Sequence, residues 1–168
     1  MQIEAIMKKM IDLAAGNHRD INHFMKVHSF ARTIGRMEGL DEETQYVLEA
    51  AAIVHDIACP LCRKKYGNAA GALQEAESEP LVREFFSGAD LPGNQLERIV
   101  FLVTHHHTYT GVDGMDYQIL LEADYLVNAD ESRYPGKTIE QFCKNVFQTA
   151  SGIALLNSVF CEGLRGMA

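Results

Sequence analysis

Apolar side chains recur along most of this chain at intervals of three and four residues, the period that lines one face of an α-helix. Ile3, Ile6, Met7, Met10, Ile11 and Ala14 form the first stripe, and Gly16-Asn17 ends it. A second helix is expected after Asp20, with Ile21, Phe24, Met25, His28, Ala31 and Gly35 facing inward. It stops near Gly39, where Asp41 can cap the next helix. That third helix runs to His55-Asp56 and turns Val47, Ala51, Val54, His55 and Ala58 inward. Residues 62–78 carry the weakest pattern and read as an irregular stretch too long for a tight turn. Pro80 suits the first turn of a short helix reaching Phe86, and Ser87-Gly88 ends it. Further helices are expected over 94–106, 115–132, 138–147 and 151–161, with Tyr134-Pro135-Gly136 as a break. No strand-like alternation, repeat or linker interrupts the series, so an all-α, compact multi-helix bundle forming one domain over 1–168 is expected.

Composition narrows the functional classes. Apolar residues make up 47% of the 168 positions and charged residues 23%, which fits a folded globular chain. The formal charge of −8 opposes a general affinity for nucleic acid backbones while leaving small nucleotides open. The opening Met1-Gln2-Ile3-Glu4-Ala5-Ile6 does not read as a secretory signal, and no run of about 18 apolar residues is present, so no membrane association and a cytoplasmic location are expected. Four cysteines are too few for a disulfide-built scaffold. Cys59 and Cys62 share a Cys-Pro-Leu-Cys spacing, but no second such pair completes a zinc site, and reduced, incidental thiols are expected, with a redox or auxiliary metal role as the alternative. Ile153, Leu155, Leu156, Val159 and Phe160 near the C-terminus permit a homodimer and equally describe a packed helix.

Several residues carry metal-type chemistry. His55-Asp56 closes the apolar run Ala50-Ala51-Ala52-Ile53-Val54 and sets two adjacent donors at its end; a helix-capping pair is the alternative. His28 shares a face with Phe24, Met25 and Ala31 and should point into the core, where an imidazole needs a carbonyl, a carboxylate or an ion. Asp124 lies within Leu120-Leu121-Glu122-Ala123 and Tyr125-Leu126-Val127, where desolvating a carboxylate costs several kcal/mol unless a cation or donors compensate. In the triplet His105-His106-His107, His106 is at helical spacing from Ile99, Leu102 and Val103 and should face inward. His105 and His107 can instead stay solvated at the negative end of the helix dipole.

In this order, His28, His55-Asp56, paired histidines and Asp124, the chain resembles the HD superfamily of metal-dependent phosphohydrolases. The similar contexts are Val27-His28-Ser29-Phe30-Ala31, Ala51-Ala52-Ile53-Val54-His55-Asp56-Ile57-Ala58 and Leu121-Glu122-Ala123-Asp124-Tyr125-Leu126, and the likeness covers residues 20–132. It implies an all-α bundle of the HD-domain type, completed by an N-terminal helix and C-terminal helices. It also implies one or two divalent transition-metal ions (Fe, Mn, Ni, Co or Zn), with His28, His55, Asp56 and Asp124 as ligands of the first. For a second ion it points to His105 and His106, and to Glu75 or Glu77 in place of an earlier histidine. Independently of the likeness, Arg63 after the doublet and Arg133 after the Asp124 helix are candidates for phosphate contacts. Ile57-Ala58-Cys59-Pro60 lacks the glutamate that the nucleoside monophosphatase branch carries after its doublet. Thr110-Gly111-Val112-Asp113 replaces the Gly-Tyr-Pro signature of the cyclic-dinucleotide branch.

The implied chemistry is hydrolysis of a phosphate ester or anhydride in a small metabolite or nucleotide. A divalent ion lowers the pKa of bound water and stabilises charge on the phosphoryl group, and Asp56 would orient or deprotonate the water. Two alternatives stay open: a di-iron oxygenase on the same fold, which needs about six ligands, and a non-catalytic metal-binding or regulatory module.

Overall fold

In a computed structural model, residues 1–160 are described and form nine helices. They are α1 Ile3–Leu13, α2 His18–Met37, α3 Glu42–Val54, α4 Cys59–Tyr66, α5 Gly71–Phe85, α6 Gly93–His105, α7 Met115–Glu131, α8 Gly136–Val146 and α9 Ala150–Val159. The expectation that the last helix reaches Cys161 falls outside the described residues. No strand is present among the described residues, and the chain is an all-α bundle.

Two helices without a polar face occupy the centre. Nearly every position of α3 from Gln45 to Val54 is buried, as is nearly every position of α7 from Asp116 to Ala129. A helix that is buried all round cannot sit at the surface, so α2 and α6 pack around this pair, α1 lies on α3, and α9 lies on α7 and α2. α5 packs on α6, and α4 on α5. Side-chain caps fix several starts: Asn17 Oδ1 accepts from Asp20 N–H at 3.3 Å, and Asp41 Oδ1 accepts from Glu43 and Thr44 N–H at 3.0 Å each.

Three elements depart from the sequence reading. The buried stripe of α2 is His23, Phe24, Val27, Ala31, Ile34 and Gly35, whereas Met25 is exposed. Residues 62–66 and 71–78 are helical, belonging to α4 and α5, and residues 67–70 form a short connection that turns at Gly67 (φ 76°). Pro80 lies inside α5 rather than at the start of a helix. The Ala76 carbonyl therefore lacks its usual intrahelical donor, a loss tolerated where tertiary packing holds the helix.

Candidate metal centre

Four helices deliver metal-competent side chains to one place. α2 contributes His23, the end of α3 contributes His55 and Asp56, the end of α6 contributes His106 and His107, and α7 contributes Asp124. His23 Nε2 lies 3.2 Å from His55 Nε2, 3.2 Å from Asp124 Oδ1 and 3.5 Å from Asp56 Oδ2. His55 Nε2 lies 3.4 Å from Asp124 Oδ1 and 3.7 Å from Asp56 Oδ1. Donors held about 2.1 Å from a shared ion sit about 3.0 Å apart at octahedral angles and about 3.4 Å apart at tetrahedral ones. These separations suit one ion among His23, His55, Asp56 and Asp124.

A second group shares Asp56. His106 Nε2 is 3.5 Å from Asp56 Oδ1, and donor atoms of Asp56, His106 and His107 all lie within 4.8 Å of one another. The Nε2 atoms of His106 and His107 are buried without a hydrogen-bond partner. Buried ring nitrogens are rarely left so, and a cation between them and Asp56 would satisfy both. Gly71 matters here, because a Cβ at that position would lie 2.6 Å from Cγ of the His107 ring.

The outer hydrogen bonds aim the rings. His55 Nδ1 lies 2.9 Å from the Ala52 carbonyl, and His106 Nδ1 lies 2.7 Å from the Val103 carbonyl. A carbonyl can only accept, so each Nδ1 carries the proton and each Nε2 lone pair faces the cluster. His23 Nδ1 contacts Glu131 Oε2 at 3.0 Å. Asn128 Nδ2 donates to Asp124 Oδ1 at 2.8 Å and steadies that carboxylate.

Charge is concentrated here. Burial opposes ionisation of His23, but Asp124, Asp56 and Glu131 outweigh it and raise the imidazole to about 9. Burial likewise opposes the charges of Asp56 and Asp124, yet the surrounding imidazoles hold both carboxyls well below the usual range. Burial and neighbouring His106 lower His107 to about 4. The protein therefore keeps two carboxylates ionised in its interior, with His23 held cationic and His107 neutral beside them.

The structure brings His55, Asp56, His106 and Asp124 together and leaves other expected residues outside. His28 is not in the cluster; its Nε2 meets Glu49 Oε2 at 3.0 Å. His23 stands in the expected place. The two histidines are five positions apart, about 140° around a helix of 3.6 residues per turn, so one ring faces the cluster while the other meets α3. His105 also turns away: its ring stacks on Phe101 with centroids 4.2 Å apart, and its Nδ1 lies 2.8 Å from the Phe101 carbonyl. His107 takes the expected place of His105 because the helix ends at His105, and beyond that point helical spacing no longer governs which ring faces inward. Glu75 accepts the His107 backbone N–H at 3.0 Å and holds that turn rather than offering a ligand to the cluster. Glu77 pairs with Lys65 at 2.7 Å on the surface. Arg133 is exposed, with φ 51°, where the chain leaves α7.

A cavity of about 330 Å³ opens over His23 and Asp56, with Arg19, Arg63, Asn68 and Ser132 at its walls. Arg63 also pairs with Asp20. Cys59 lines this cavity, and burial together with Asp56 pushes its thiol well above the usual range, so it remains protonated; Cys62 is buried and raised by burial as well. Both thiols are free. A larger cavity of about 480 Å³, lined mainly by Leu13, Ile57, Leu61, Leu81 and Phe85 together with Lys9 and Glu84, holds none of the cluster residues.

The chain matches no protein-family model, no curated protein and no solved structure. Among the described residues no helix is long and apolar enough to cross a membrane.

Proposed function

We propose that this protein is a cytoplasmic metal-dependent phosphohydrolase of the HD type, acting on a small phosphorylated metabolite or nucleotide. The observation that carries the reading is Asp56, shared between His23, His55 and Asp124 on one side and His106 and His107 on the other, with two buried ring nitrogens unpaired. Bound divalent metal would supply Lewis-acid stabilisation of the phosphoryl oxygens and a water acidic enough to attack at neutral pH. The remaining work falls to this chain's own side chains. Asp56, kept ionised, accepts a hydrogen bond from the attacking water and orients it. Arg19 and Arg63, at the walls of the opening, suit the outer phosphate oxygens as planar donors.

The test is elemental analysis of protein purified without added metal, then a panel of phosphorylated compounds assayed with the metal found and with Mn²⁺, Co²⁺, Fe²⁺, Ni²⁺ and Zn²⁺. Phosphate release that a chelator abolishes is expected. Metal-replete protein releasing no phosphate from the whole panel would overturn the reading. The di-iron oxygenase reading keeps one observation in its favour, because six His and Asp donors converge in two adjoining groups. Oxygen consumption by iron-loaded protein distinguishes it.

A further inference from the structure

Of the three cluster imidazoles anchored through Nδ1, two rest on neutral backbone carbonyls and His23 rests on a carboxylate. That carboxylate, Glu131, lies seven residues after Asp124 on α7, two turns along the same face. One helix therefore holds both nitrogens of the His23 ring, with Asp124 Oδ1 3.2 Å from Nε2 and Glu131 Oε2 3.0 Å from Nδ1. Lys26, one turn along α2 from His23, donates to Glu131 Oε1 at 3.1 Å and keeps the carboxylate in place. His23, Glu131 and Lys26 thus link α2 to α7 directly behind the cluster.

We infer that Glu131 is a positioning residue for a metal ion, and that it makes the group around His23 the tighter of two unequal sites. The inference rests on the metal reading of the same residues. A carboxylate behind an imidazole fixes its tautomer and strengthens it as a donor, and loss of such a partner costs roughly 10–100-fold in metal affinity. The His23 group also holds two carboxylates, Asp56 and Asp124, whereas the His106–His107 group has a share in Asp56 alone. In that second group His106 rests on the Val103 carbonyl, and Glu75 grips the His107 backbone rather than its ring. A first ion therefore fills the His23 site, and a second follows at higher concentration.

The experiment is a Co²⁺ titration of the metal-free full-length protein, followed by visible absorbance and calorimetry. Wild type is expected to show two phases. Glu131→Gln keeps the shape and the acceptor oxygen while removing the charge, so it weakens the first phase about 10-fold or more and leaves the second in place. His106→Ala does the opposite, removing the second phase and keeping the first. Circular dichroism and melting in chelator verify that each variant is folded, and Lys26→Ala, exposed and milder, shifts the first phase in the same direction by less. A Glu131→Gln protein that binds the first Co²⁺ as wild type does, or that loses only the phase also lost in His106→Ala, overturns the inference. Wild type that binds no metal overturns both this inference and the proposed function. Wild type that binds metal in two phases without releasing phosphate removes the phosphohydrolase reading alone.

Discussion

His23 and His28 are chemically identical side chains on one helix, and the residues they meet assign them different work. His28 pairs with Glu49, a buried carboxylate that also accepts from Gln45 Nε2 at 2.8 Å. His28→Ala should therefore leave metal content unchanged and destabilise the fold by about 1–3 kcal/mol, the cost of leaving a buried charged acceptor short of a partner. His23→Ala should give the reverse, a folded protein that has lost metal, and metal analysis beside urea unfolding tells the two apart. Burial raises the Glu49 carboxyl, but hydrogen bonds from His28 and Gln45 outweigh it and hold it below its ordinary value of 4.5. A depressed carboxyl stabilises the fold above its unfolded value and loses that contribution as pH falls through its folded one. The stability gap between wild type and Glu49→Gln should thus be full at neutral pH and shrink below about pH 4. A gap that stays constant down to about pH 3 would show that the carboxylate charge contributes nothing. The His55-Asp56 pair was legible in the sequence because a buried apolar run ends on it. His23 was not, because α2 tolerates polar residues on both borders of its buried stripe, and Met25 and His28 suggested the wrong border.

At the scale of elements, helices were legible wherever their buried faces are apolar. α5 was not, because two of its buried positions are polar: Gln74, whose Nε2 donates to the Ala69 carbonyl at 3.0 Å, and Ser78, whose hydroxyl donates to the Gln74 carbonyl at 2.6 Å. Such bonds satisfy the buried groups without leaving an apolar period to read. The junction of α7, α8 and α9 depends on a similar polar device. Glu122 is fully buried and accepts from Gln118 Nε2 at 2.6 Å, Gln148 N–H at 2.7 Å, Thr149 N–H at 3.0 Å and the Thr149 hydroxyl. Glu122→Ala leaves these donors unpaired and should cost about 2–4 kcal/mol. Its denaturant midpoint should fall while metal content holds, since Asp124 points to the other side of α7. A midpoint shift equivalent to less than about 0.5 kcal/mol would place it among ordinary surface changes and remove Glu122 as the clamp.

At the scale of the whole molecule, the convergence of α2, α3, α6 and α7 on Asp56 could not be read from any one segment, because it depends on how the central helices cross. On the metal reading, that convergence couples a bound ion to the fold. An ion bound only by the native state at about 100 times its Kd adds about 2.7 kcal/mol, which in a chain of this size raises the melting temperature by about 5–10 °C. Asp56→Asn tests this coupling most directly, since Asp56 is the residue common to both donor groups. It is not a helix cap: α4 starts without a side-chain cap bond, and the Asp56 contact there is its backbone carbonyl, which accepts from Cys59 N–H at 2.9 Å. Asparagine keeps that carbonyl and nearly the same shape, so helical content and solubility should be unchanged. What it removes is the negative charge that lies within 3.7 Å of the His23, His55 and His106 rings. The gap between metal-loaded and chelated melting temperatures should collapse, bound metal should fall, and any phosphate release should drop by about 10²-fold or more, the scale of losing a group that stabilises the transition state. Melting with and without chelator, elemental analysis and turnover, each measured beside wild type, check the three parts separately. Unchanged metal content with unchanged turnover would remove Asp56 from the mechanism, and the shared-ligand geometry would then carry no function.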